Sequence, residues 1–230
     1  LNIISRVSQG DDSVRPGRML SALKSLQRRE FIDYLQEIVS EATLLENIAR
    51  RSSVHANGFT KLVLERSTGM ALRLHIWEPV ERSSDISLSE NIHDHVWPFA
   101  SRVLVGGLYE ERFDRYRTGM LMDHYRYVRG RTTLPPGNLL MNGQVRLGVH
   151  AELSHKAGSV YEVDDSVLHR AHNIGETGFS ATLMMTGMPR LTPASVYAPT
   201  GMSVREDARE SQVSDTDALR LLGTVIEALK

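Results

Sequence analysis

The chain has 230 residues, 41% of them apolar and 24% charged, with a formal charge of −1 and no cysteine. That length buries about 70% of the unfolded surface in one well-packed domain, and the near-neutral charge argues against a broad nucleic-acid or anionic-membrane surface. Disulfides and Cys-ligated metals are excluded, a reducing, cytoplasmic setting is the expectation, and no apolar run approaches the ~20 residues of a membrane span.

The chain starts Leu1-Asn2-Ile3-Ile4, with neither a signal-peptide pattern nor an initiator Met, as for a missing or processed N-terminus. Residues 1–17 are polar, carry Pro16-Gly17 and read as a loose lead-in. From about Met19 to Arg51, residues Leu20, Leu23, Leu26, Phe31, Leu35, Ile38, Val39 and Leu44 recur at helix-compatible spacings, which predicts two or three helices. After Gly58, short runs rich in β-branched, aromatic and Leu residues take over: Phe59–Leu64, Ala71–Trp77, Arg102–Leu108, Tyr125–Val128, Val145–Val149, Ser159–Val163 and Phe179–Met185. Ser67-Thr68-Gly69, Pro135-Pro136-Gly137 and Asn142-Gly143 read as turns between them. Strands at this spacing predict a β-sandwich or small barrel. Ser203–Thr216 is polar and reads as a loop; Ser214 or Thr216 can cap a final helix carrying Leu219, Leu222, Val225, Ile226 and Leu229 on one face. One structural domain is predicted: a helical segment at 1–57, a barrel at 58–200, then a loop and helix at 201–230.

Two distant segments carry the chemistry. His93-Asp94-His95 places two imidazoles on one face of a strand, close enough for both to reach one ion. Imidazole suits iron, zinc, copper or nickel, although a lone His-x-His is equally compatible with two ordinary loop histidines. The second segment runs from Gly158 through the turn Asp164-Asp165-Ser166 to His169 and Asn173, and offers a third imidazole.

With both motifs present, the chain resembles the cupin superfamily, whose small β-barrel holds a metal on a His-x-His pair and a later His. The resemblance implies a mainly β fold, a cupin barrel (double-stranded β-helix or jelly roll) with N-terminal helices and a C-terminal helix, and His93, His95 and His169 as metal ligands. The usual cupin glutamate is missing: Phe99-Ala100-Ser101 stands where it would fall, and no acid follows before Glu110. Three neutral imidazoles leave the full +2 charge on an ion, which favours an anionic ligand and leaves open positions for a substrate and O2.

That three-His variant is similar to the cysteine dioxygenase-like thiol dioxygenases over about Gly58 to Met188. Gly58-Phe59-Thr60-Lys61 is similar to the family's Gly-Tyr-Thr-Arg, Ile76-Trp77 to its strand ending in a pocket Trp, and Ile92-His93-Asp94-His95 to its metal motif; His169-Arg170 and Asn173 complete it. Lys61 stands where the family's carboxylate-binding Arg falls, and a Lys lacks the bidentate fork. Thr182, Met184 and Thr186 replace its Ser-x-His-x-Tyr run, and Ala100 its cross-linking Cys. The implied activity is therefore that of a non-haem Fe(II) dioxygenase (Zn, Ni, Mn and Cu being alternative metals) using O2 on a small anionic thiol or carboxylate other than cysteine. A non-redox metallo-cupin isomerase, lyase or hydrolase and a small-molecule-binding cupin are the alternatives.

Strand alternation puts Arg73 and His75 on the side of Trp77, which makes His75 a candidate proton donor and Trp77 a pocket wall. If Ala100 faces inward so does Arg102, which then joins Lys61 as a candidate substrate anchor. Trp97 reads as pocket wall and Met184-Met185 as strand core. His172 has the opposite strand parity to His169, and His55, His124, His150 and His155 read as solvated. Tyr116-Arg117, His124–Tyr127 and Arg129–Arg131 mix bases with aromatics; with net charge near zero they read as an exposed strand face rather than an RNA contact. No membrane partner is expected. The N-terminal helices are expected either to cover the barrel or to form a homodimer contact.

Overall fold

The computed structural model describes residues 3–8, 16–55, 58–67, 69–79, 91–127, 139–189, 193–201 and 211–230. The Pro135-Pro136-Gly137 turn, Arg129–Arg131, Thr68, Val128 and most of the 203–216 loop lie outside these residues. The helical stretch holds α1 (Ile3–Ser8), α2 (Pro16–Ser25), α3 (Arg28–Ser40) and α4 (Ala42–Arg50). The expected loose lead-in is thus partly helical. Ile3 and Ile4 are buried, and their backbone N–H groups donate to the Glu65 carboxylate at 3.1 and 3.0 Å.

Among the described residues, twelve strands follow: β1 (Ser53–Val54), β2 (Thr60–Ser67), β3 (Met70–Trp77), β4 (Ile92–His93), β5 (Phe99–Val105), β6 (Gly107–Tyr127), β7 (Leu139–Lys156), β8 (Val160–Val163), β9 (Leu168–Asn173), β10 (Ser180–Thr186), β11 (Ala194–Pro199) and β12 (Ser211–Gln212). The chain ends in α5 (Asp215–Ala228). The strands form two antiparallel sheets, ordered β12-β1-β2-β3-β10-β5-β8 and β11-β4-β9-β6-β7. The pairings nest about the β6–β7 hairpin: β5 with β8, β4 with β9, β3 with β10. One long hairpin rolled up, its successive pairs falling in alternate sheets, is a jelly roll. The fold is the expected one, a mainly β barrel with helices at both ends.

Side-chain alternation decides which face of the larger sheet meets the helices. Leu62, Leu64, Leu72, Leu74, Ile76, Ala100, Ala181, Leu183 and Met185 form one core with Met19, Leu23, Phe31, Leu35 and Ile38 of α2 and α3 and Leu221, Leu222 and Val225 of α5. The helices cover the outer face of this chain's own sheet, and the main apolar core lies outside the barrel. Most of the buried apolar side chains sit in this layer, which at about 25 cal/mol per Å2 of apolar area removed from water makes it the larger hydrophobic contribution. A bulge at Leu64 shifts the β2–β3 register, and Arg51 donates to the Val63 carbonyl at 2.5 Å and also to that of Leu64.

Two expectations fail locally. Asn142-Gly143 is not a turn between strands but lies within β7, where the pairing skips from Asp123–Gln144 to Tyr125–Met141. Two residues there oppose His124 alone, a bulge that Gly143 accommodates with φ +103°. On α5, Ser214 is the cap, accepting from Asp217 N–H at 3.0 Å, but Leu219 points outward, 42% exposed, while Ala218 and Leu221 face the core.

Candidate metal centre

His93 and His169 sit opposite each other on β4 and β9, and His95 follows β4 directly. Two devices fix the short β4 segment. Asp94 exchanges backbone and side-chain bonds with Ser195 of β11: Asp94 N–H donates to the Ser195 carbonyl at 3.1 Å, and Ser195 N–H to Asp94 Oδ1 at 2.5 Å. The backbone N–H of His95 donates to the Asp165 carbonyl at 3.3 Å. The turn predicted at Asp164-Asp165-Ser166 closes with Val167 N–H on the Asp164 carbonyl at 3.2 Å, so one turn holds His95 and launches the strand bearing His169.

The remaining motif residues are structural. Gly158 adopts φ +91°, a left-handed conformation that favours glycine. Asn173 donates to the Gly178 carbonyl at 2.5 Å and accepts from Gly175 N–H at 2.9 Å and Ser180 Oγ at 2.7 Å, fixing the turn into β10.

Among the described residues, His93, His95 and His169 form a group whose candidate ligand atoms lie within 4.8 Å of one another. The Nε2 atoms of His95 and His169 are 3.0 Å apart. Two nitrogens each about 2.1 Å from one ion are about 3.0 Å apart at a right angle, about 3.4 Å at a tetrahedral angle and never more than about 4.2 Å apart. The widest side of the cluster, at up to 4.8 Å, would close by about 0.6 Å to hold an ion between opposite ligands and by about 1.4–1.8 Å for tetrahedral or right-angled ones. Ring tautomers fit as well: His93 Nδ1 lies 2.9 Å from the Asn91 carbonyl and His169 Nδ1 3.2 Å from Glu110 Oε1, so each Nδ1–H donates outward and leaves Nε2 for a metal. Burial, then the charge of His169, pushes His93 down to about 3; burial and the charges of His93 and His169 put His95 well below its ordinary value. Both rings are neutral, as ligation requires.

Glu110, passed over in the sequence as too distant to be a ligand, is 1% exposed and stands behind His169. Its carboxylate accepts from His155 Nε2 at 2.8 Å, His169 Nδ1 at 3.2 Å and Arg112 Nε at 3.0 Å. Burial alone raises its pKa, but these three hydrogen bonds outweigh burial and hold it well below the usual carboxylate range. His155 was expected to be solvated; it is 9% exposed and stacks on Tyr161, ring centroids 3.8 Å apart. His124, also expected in solvent, is 9% exposed and stacked on Tyr197, whereas His150 lies on the surface 3.5 Å from Asp114. His172 turns to the opposite face from His169, to Glu111 at 3.3 Å.

The barrel-facing side of β3 carries Arg73, His75 and Trp77, with Lys61 directly across from His75 on β2. Phe59 packs against His55, His75 and Trp77 with centroids 4.5, 4.7 and 4.9 Å away. His75 and Trp77 are each 7% exposed, and neither His75 Nε2 nor Trp77 Nε1 has a hydrogen-bond partner among the described residues. Burial, then repulsion from Arg73, His55 and Lys61, holds His75 well below its usual pKa. Trp97 stacks on His95, centroids 4.6 Å apart, with the Arg73 guanidinium 4.7 Å from its ring centre. Met184 packs with Phe99 and Val163 in the barrel, while Met185 faces the helices.

Arg102 is not in the site. Ala100 and Arg102 share the outer face of β5, where Ala100 joins the helix-side core and Arg102 Nη1 donates to the Leu23 and Leu26 carbonyls at 3.1 and 2.5 Å. A cation there satisfies carbonyls left unpaired at the end of α2. A cavity of about 420 Å3, lined in part by Arg102, Leu26 and Phe31, lies on this helix side.

No family model matches the chain, and no curated protein matches it. Solved structures resemble it distantly. The hydroxypropylphosphonic acid epoxidase from S. wedmorenis is 14% identical, with a TM-score of 0.34 over 60% of this chain and 56% of its own. A cupin superfamily protein from Desulfitobacterium hafniense is 10% identical, with a TM-score of 0.32 over 58% of this chain and 81% of its own. Hydroquinone 1,2-dioxygenase PnpCD, in complex with Cd2+ and 4-hydroxybenzonitrile, is 12% identical, with a TM-score of 0.34 over 64% of this chain and 72% of its own. The chain thus spans little more than half the length of the epoxidase. These likenesses assign no activity here; strand pairing and the histidine group define the class, a jelly-roll barrel with a three-histidine site.

Proposed function

We propose that this chain is a non-haem iron(II) oxygenase, cysteine dioxygenase-like in its metal set, that uses O2 on a small thiol- or carboxylate-bearing anion other than cysteine. The observation that carries this reading is the juxtaposition of three convergent imidazoles with a wall of buried or cationic donors on the neighbouring sheet. With His95 and His169 Nε2 3.0 Å apart and His93 beside them, the three rings would hold one divalent ion such as iron(II). Bound iron(II) would supply the redox chemistry that couples O2 to substrate oxidation.

The protein's own groups define what the substrate meets. Lys61, with Arg73 on the same face, supplies the positive charge that binds the substrate's acid group. Trp77 Nε1–H donates to an acceptor on the substrate, gaining the partner it lacks among the described residues. His75, neutral at neutral pH, holds or passes a proton at Nε2 rather than binding by charge. Trp97 and Phe99 exclude water around His95. Thr182, opposite His75 on β10, leaves room that a larger residue would fill.

The test is metal analysis of anaerobically purified protein joined to an O2-electrode screen across thiols and carboxylates. Iron occupancy and O2 uptake that His93→Ala abolishes are expected. Zinc occupancy without O2 uptake would instead indicate Lewis-acid chemistry, and ligand binding that survives all three His→Ala changes would indicate a binding protein.

A further inference from the structure

Glu110 occupies a position that cross-strand geometry makes unusual. Its strand, β6, lies between β9 and β7, and Glu110 pairs with Ala171 on one side and Leu153 on the other. His169 and His155 are each two residues from those partners, so both rings reach Glu110 diagonally across the sheet. The adjacent acid, Glu111, points to the other face, 2.5 Å from Arg170 and 3.3 Å from His172. Of the two acids, only Glu110 faces the metal centre, and nothing in the three-histidine set itself carries negative charge.

We propose that Glu110 is a positioning residue for the metal: from behind His169 it fixes the ring's orientation and makes its Nε2 a stronger donor, restoring part of the negative charge that a carboxylate ligand would have brought. A carboxylate accepting Nδ1–H draws the imidazole toward imidazolate character, and such outer partners typically govern about 10–100-fold in metal affinity. Arg112 and His155 share the same carboxylate and thereby limit how much of its charge reaches His169. The inference rests on the three-histidine reading above and concerns how that site is tuned.

The probe is Co(II), whose affinity is measured by chelator competition and whose visible spectrum reports the ligand field without turnover. Glu110→Gln keeps an acceptor for His169 but removes the charge; it is expected to weaken Co(II) binding about 10–100-fold and shift the visible bands to lower energy. His155→Phe keeps a ring against Tyr161 and frees the carboxylate from one donor; it is expected to shift the bands the opposite way. Should Glu110→Gln fail to fold, the His155 variant decides alone. Affinity within about twofold of wild type and unchanged bands in the variants that fold would overturn the inference while leaving the metal site standing. Wild-type protein that binds no Co(II) would overturn both.

Discussion

His75 and His169 are almost equally buried, at 7% and 6% exposure, yet their surroundings differ. His169 gives its Nδ1–H to a carboxylate, whereas His75 has cations around it and an Nε2 without a partner among the described residues. Because the folded pKa of His75 lies below the ordinary 6.5, the unfolded chain binds the proton first as pH falls. Stability from this group is complete above about 6.5 and declines below it. His93 and His95, shifted the same way, add to that decline. Metal-free protein is therefore expected to lose Tm steadily from pH 7 to 5.5, and His75→Asn to lose it less steeply; equal slopes would contradict the assignment. The three candidate ligands were legible because a His-x-His pair and a spaced later His are local patterns. Glu110 was not, since its partners lie 45 and 59 residues away on two other strands. The available signal was its parity: Glu110 shares a strand face with Leu108, an acid where an apolar residue belongs.

At the scale of elements, the alternation in β3 was readable and informative. Leu72, Leu74 and Ile76 meet the helices, and Arg73, His75 and Trp77 face inward. The same rule rightly joined Arg102 to Ala100; what failed was the premise, taken from the resemblance, that Ala100 faces inward. Only the pairing of Met184 with Ser101 and Met185 with Ala100 fixes the phase of β5. The β6–β7 hairpin, 21 and 18 residues long, was read as separate short strands, since its polar stretches and Gly143 resemble turns. The α5 cap was legible as Ser214 three residues before an acid. Replacing Ser214 by Ala is expected to cost about 1 kcal/mol, a fall in Tm of roughly 2–4 °C. Metal affinity should not change, because α5 packs on α3 and α4 in the helix layer outside the barrel; a parallel loss of affinity would show that the two faces communicate.

For the whole molecule, the histidine group joins segments of the chain separated by 74 residues, so a bound ion stabilises only the rolled-up state. A metal at a hundred times its Kd is expected to add about 2.7 kcal/mol, or roughly 5–10 °C in Tm at this size. His169→Ala should abolish the increment; a similar shift in that variant would place the ion elsewhere. Jelly-roll topology was legible only through the resemblance of the two motifs, since no local pattern dictates that β3 pairs with β10.

The separation of the apolar core from the barrel interior has a historical consequence. Lys61, Arg73, His75 and Thr182 share the sheet face turned away from the helices, so substitution there can alter what the site accepts while the helix-side core stands. A lineage built this way can keep its three imidazoles and drift from one substrate to another through inherited single changes.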